Sequence, residues 1–197
     1  MFEKTAERIT RKLQENNKIN SEQYEICRFG FKQGLTIILN AITMIVIGAV
    51  MCELWQTIIF MIAYVPLRSN AGGYHAKTAM KCYIYSIFLM IAVLLALKHL
   101  ILTRFICIII IIMSDVIIIL LAPVEDNNKL LDSTEKIIYK KRTLIITILE
   151  NIICFISMIL ELQKVYLCIV LVLIVMSIML CVGKFKNNKL KSSNDVH

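Results

Sequence analysis

The chain has 197 residues, of which 58% are apolar or aromatic, above the roughly 45–50% of an ordinary soluble domain. The excess is gathered in runs of about 17–20 residues, long enough to cross about 30 Å of hydrocarbon, which excludes a soluble globular protein. The formal net charge is +8, but Lys and Arg lie almost wholly between the apolar runs, so membrane topology takes precedence over nucleic-acid binding.

Residues 1–19 place Phe2, Ala6, Ile9 and Leu13 on one helical stripe. With Lys4, Arg8, Arg11 and Lys12 nearby, the segment suits an amphipathic helix on an anionic membrane surface. Residues 20–34 read as a second interfacial piece, anchored by Tyr24, Ile26, Phe29 and Phe31. These first 34 residues are too polar for a secretory signal peptide.

Six spanning segments follow, near 35–51, 54–67, 83–97, 105–122, 143–160 and 165–182. The expected fold is all-α and polytopic. The second and third segments are short, so four spans plus two re-entrant pieces is the alternative. The division expected is 1–34 interfacial, 35–182 transmembrane with a loop at 68–82, and 183–197 a basic tail. With the N-terminus in the cytoplasm, 19 Lys and Arg fall on the inner side and three (Lys98, Arg104 and Lys164) on the outer. Reversing the chain inverts that ratio, so the positive-inside rule puts both termini in the cytoplasm.

Seven cysteines are odd in number and form no CxxC pair, which indicates neither a disulfide framework nor a zinc site. Cys107, Cys154, Cys168 and Cys181 sit inside apolar runs, where a thiol acts as a small hydrophobe. Asp115 and Glu150 interrupt the fourth and fifth runs. A central acid costs roughly 2.5–3.5 kcal/mol on insertion scales. Eleven Leu, Ile and Phe residues between 144 and 160 offset it at about 0.3–0.6 kcal/mol each. Each acid is read either as a structural interhelical hydrogen bond or as a substrate or proton contact.

The 68–82 loop differs from the others. It reads Arg68-Ser69-Asn70-Ala71-Gly72-Gly73-Tyr74-His75-Ala76-Lys77-Thr78-Ala79-Met80-Lys81-Cys82 and holds two of the six glycines and one of the three histidines. A Cys with a His is a nucleophile with its base. Arg68, Lys77 and Lys81 add positive potential, which favours a thiolate and attracts an acidic peptide. Gly72-Gly73 allows positive φ or close backbone approach. On one straight helix, residues seven apart lie about 10.5 Å apart along the axis, so His75 and Cys82 pair only if the chain breaks between them or substrate draws them together. By spacing alone His-x6-Cys is a weak signal, and a lone loop histidine is commonly structural. A transport or signalling protein without catalysis is the rival reading. It would be expected to set its polar groups near the bilayer midplane.

The chain resembles the accessory gene regulator B (AgrB) family of bacterial membrane peptidases. The likeness rests on Arg68, Ala71-Gly72-Gly73-Tyr74-His75-Ala76 and Cys82 after two apolar runs. It is supported by Arg28-Phe29-Gly30-Phe31-Lys32, Ala122-Pro123-Val124-Glu125 and Asn128-Lys129. The resemblance implies a cysteine endopeptidase of the bacterial cell membrane, active at the cytoplasmic face without metal or cofactor. Its substrate would be an AgrD-type propeptide of a quorum-sensing signal, with an amphipathic N-terminal helix and an acidic C-terminal tail. It implies that His75 is the general base and Cys82 the nucleophile, that the tail is cut off, and that the acyl-enzyme is resolved by cyclisation to a thiolactone or lactone. Arg68 would either hold the acidic tail or shape the loop. A homodimer among membrane lipids is implied as the working form.

Overall fold

The structure, a computed structural model, describes residues 3–15, 20–73, 79–125 and 132–194. Among the described residues seven helices follow in chain order: α1 (Glu3–Glu15), α2 (Ser21–Val50), α3 (Leu54–Ala71), α4 (Ala79–His99), α5 (Arg104–Leu121), α6 (Ser133–Ile159) and α7 (Gln163–Asn194). Five of them, α2, α4, α5, α6 and α7, are long and apolar enough to cross a membrane. The protein is thus an all-helical, polytopic membrane protein.

Burial sorts the helices into layers. In α7, 61% of the apolar window is buried, against 12% in α2. Leu167, Val170, Leu173, Met176 and Leu180 of α7 are nearly or wholly enclosed, with α3, α4, α5 and α6 packed around them. Along the outside, Ile38, Val46, Phe88, Ile112, Leu120 and Ile148 are exposed. Such a contiguous apolar exterior would associate in water; hydrocarbon is the solvent that suits it.

The 20–34 segment and the first span form one helix, α2. Asn20 opens it, its N–H donating to Gln23 Oε1 at 3.2 Å, as half of a capping box does. The extension gives α1 a protein partner, which the sequence stripe did not reveal. Ala6 and Thr10 of α1 are fully buried, α1 packs on α2, and Lys32 donates to Glu3 Oε1 at 3.1 Å. That lysine holds the Glu3 carboxyl below its ordinary range. The pairing is therefore present above the usual carboxylate pKa and is lost as pH falls through the lowered one.

The two short segments are longer than the apolar runs suggested. α3 and α4 run 18 and 21 residues as unbroken helices. The polar end of α3 stays helical because Ser69 Oγ donates to Val65 O (2.7 Å) and Asn70 Nδ2 donates to Pro66 O (2.8 Å). Gln56, Thr57, Arg68, Ser69 and Asn70 leave α3 without an unbroken apolar stretch like those of the five. It is nonetheless held within the bundle by α2, α6 and α7.

The α2–α3 turn is tight. Cys52 takes φ 58°, and Glu53 N–H returns to Gly48 O at 2.9 Å. Two basic residues at this end of the bundle have acidic partners. Lys164 donates to both Glu53 carboxylate oxygens at 3.0 and 3.1 Å, and Arg104 pairs with Glu161 at 2.9 Å. Glu53 is 7% exposed, so Lys164→Ala strands a buried carboxylate. The expected loss is about 1–3 kcal/mol, at the lower end because Lys164 itself is largely exposed. It is read as a lower melting temperature of the detergent-solubilised protein, with Lys164→Arg restoring most of it.

Candidate functional site

At the opposite end of α3 the chain turns from helix into the diglycine. Gly72 (φ 71°) and Gly73 (φ 115°) both take positive φ, a region open to glycine at little cost. Gly72 N–H closes the helix on Arg68 O at 3.2 Å, and the Arg68 guanidinium donates to Gly72 O.

The diglycine is clamped to a segment fifty residues away. Val124 N–H donates to Ala71 O at 3.0 Å, and Gly73 N–H donates to Val124 O at 3.3 Å. A Cβ on Gly72 would overlap the Val124 carbonyl oxygen, and one on Gly73 would come to 3.1 Å from Met179 O of α7. The Ala122-Pro123-Val124-Glu125 string is therefore the structural partner of the glycine string. It is anchored in turn: Asn187 Nδ2 of α7 donates to Glu125 O at 2.6 Å, and Lys136 of α6 pairs with the Glu125 carboxylate.

Cys82 lies in the first turn of α4 and is exposed. It shares a pocket of about 340 Å³ with Tyr64, Arg68, Tyr85, Ser86, Leu89 and Met179. Tyr64 lies one turn before Arg68 on α3 and lines the same pocket. Ser86 Oγ donates to Cys82 O at 3.0 Å. Helical spacing could have found two parts of this wall: Tyr64 and Arg68 are i,i+4 on α3, and Cys82, Ser86 and Leu89 are i,i+4,i+7 on α4. Met179 arrives from α7 and carries no signal of its own.

His75 and Lys77 lie outside the described residues. Lys81 is exposed beside Cys82. Asp115 and Glu150 do not line the Cys82 pocket. Asn151 Nδ2 donates to Asp115 Oδ2 at 2.7 Å, joining α6 to α5. Glu150 is 5% exposed, and neither carboxylate oxygen has a partner among the described residues. Cys154 and Cys168 are buried against the Tyr166 and Gln56 carbonyls.

Fold and pocket together define a multi-pass helical membrane protein with an accessible cysteine at one end of its bundle. The chain belongs to the accessory gene regulator B family, AgrB, whose model matches residues 6–180. That is a family of processing proteases and peptide cyclases, with a role in quorum-sensing peptide processing and propeptides of the AgrD type as substrates. No curated protein and no solved structure matches the chain.

Proposed function

We propose that this protein is a membrane cysteine endopeptidase that removes the C-terminal tail of a quorum-sensing propeptide and promotes cyclisation of the remainder. The observation that carries the reading is Cys82, exposed in a pocket with Arg68 and set beside the clamped diglycine that leads to His75.

His75 takes the Cys82 thiol proton, and the sulfur attacks the scissile carbonyl carbon. As the tetrahedral intermediate collapses, the C–N bond breaks, His75 gives its proton to the departing amine, and a thioester to Cys82 remains. A thiol or hydroxyl within the bound peptide then attacks that thioester. Its proton passes through His75 to the Cys82 sulfur, which leaves as the free thiol. The second step is intramolecular, so orientation replaces a bimolecular encounter, and thioester exchange loses little bond energy.

Arg68 shapes the loop through Gly72 O. With Lys81 it also gives the site entrance a positive charge suited to an acidic tail. The inner face is taken as cytoplasmic on the positive-inside count, 19 Lys and Arg against three.

A propeptide whose internal nucleophile is replaced by Ala cannot cyclise, so its acyl-enzyme accumulates. Mass spectrometry is expected to find the tail-less peptide on Cys82, released by hydroxylamine. Continued cleavage with no such adduct, or an adduct on another cysteine, would overturn the mechanism.

A further inference from the structure

An apolar groove adjoins the Cys82 pocket between α2, α3 and α4. Its empty space, open on one side, is about 510 Å³, and Ile37, Met44, Phe60, Met61 and Met90 form much of its wall. Tyr64, Ser86 and Leu89 line both spaces, so the groove continues from the nucleophile's pocket. One polar group interrupts the apolar wall. Asn40 faces the groove, and its buried Oδ1 has no hydrogen-bond partner among the described residues. The register is fixed independently: Thr43 and Tyr83 share a hydrogen bond of 2.8 Å. That bond sets the Asn40 turn of α2 beside the Cys82 turn of α4.

We propose that this groove holds the apolar side chains on the acyl side of the scissile bond, with Asn40 Oδ1 accepting a backbone N–H of the bound peptide. The inference rests on the peptidase reading and adds to it which half of the substrate is read, and by what. The acyl half stays on Cys82 between the two steps and must be held while its ring closes. An acidic tail, by contrast, has no counter-charge in a wall made of Ile, Met and Phe. A lipid acyl chain would also suit those side chains, but it offers no donor to Asn40. A peptide backbone does. Burying an unpaired amide acceptor is costly, and a bound peptide N–H would satisfy it.

The test uses the full chain in proteoliposomes with propeptides carrying Phe, Leu or Ala immediately before the scissile bond. Ala41, which also lines the groove, is replaced in Ala41→Phe to fill it. KM is expected to rise about 10-fold for the Phe and Leu substrates and to change little for the Ala substrate. Asn40→Leu is expected to raise KM about 10-fold for all three with kcat nearly unchanged. Maleimide labelling of Cys82 in each variant reports that the pocket is still formed. A size preference untouched by Ala41→Phe, with KM unchanged in Asn40→Leu, would overturn the groove, and co-purified lipid displaced by Ala41→Phe would then identify its occupant. Cys82→Ala is assayed alongside: retained cleavage there sinks the peptidase reading itself, whereas lost cleavage with a flat response at Ala41 and Asn40 sinks the groove alone.

Discussion

Cys82→Ala is expected to lower propeptide cleavage by at least roughly 10³-fold, because no other described residue lining the pocket carries a thiol. The protein should still insert and fold. Cys82 is exposed, so its truncation opens no cavity, and surface substitutions of this kind stay within about 0.5 kcal/mol. Cys82→Ser should be nearly as inactive, since a hydroxyl is the weaker nucleophile. His75→Ala should match the loss at Cys82, and the double variant should be no worse than either, because the proposed nucleophile and base would act as a unit.

The other cysteines provide the controls. Cys52 and Cys181 are exposed and outside the pocket lining, so Cys52→Ser and Cys181→Ser should leave cleavage intact. Cys107, Cys154 and Cys168 are buried and should resist alkylation in the folded protein. Activity measured in membranes, with insertion checked by immunoblot, decides the matter. Cleavage surviving Cys82→Ala would end the assignment of this residue as nucleophile.

Some of this architecture is legible in the sequence because it follows from local composition. Apolar runs mark the membrane-crossing helices, since no other backbone arrangement of that length satisfies its own hydrogen bonds in lipid. The Arg68–Cys82 string is legible because it joins two of only six glycines to one of only three histidines. The contacts between segments are not. α1 seats Ala6 and Thr10 on α2, yet the same stripe would suit a lipid surface equally well. The α2 boundary was hidden because polar residues 20–34 carry no helix breaker strong enough to end α2 before its span, and Gly30 and Gly34 are tolerated inside it. The Ala71–Val124 and Gly73–Val124 bonds are made by backbone groups, which every residue type carries, so no side-chain pattern announces them. Asn40 is the one amide in the apolar 35–50 stretch of α2 and gains meaning only once Phe60 and Leu89 are seen across the groove.

The clamp yields the second large effect: Gly72→Ala is expected to reduce cleavage by about 100-fold, the scale of a misplacement near 1 Å at a catalytic group. Gly72 has φ 71° and ψ −142°, a region close to the one that glycine almost alone occupies, at a cost of about 1–3 kcal/mol for other residues. Asn, which tolerates the left-handed helical region, should not rescue it, because the ψ here lies far from that region. The added methyl also meets the Val124 carbonyl oxygen. That oxygen cannot yield freely, since the same residue's N–H is bonded to Ala71 O and the next residue is held by Asn187 and Lys136. The segment bearing His75 must therefore move, while Cys82, fixed on α4, stays where it is. Maleimide should label Cys82 in Gly72→Ala as readily as in the parent even though cleavage falls, a split that a global folding defect would not give. Gly30→Ala and Gly34→Ala are the matched controls. A Cβ at either meets nothing within 4 Å, and within α2 the change should stabilise by up to about 1 kcal/mol. Full activity in Gly72→Ala would mean that the bridge to Val124 does not position the reactive loop.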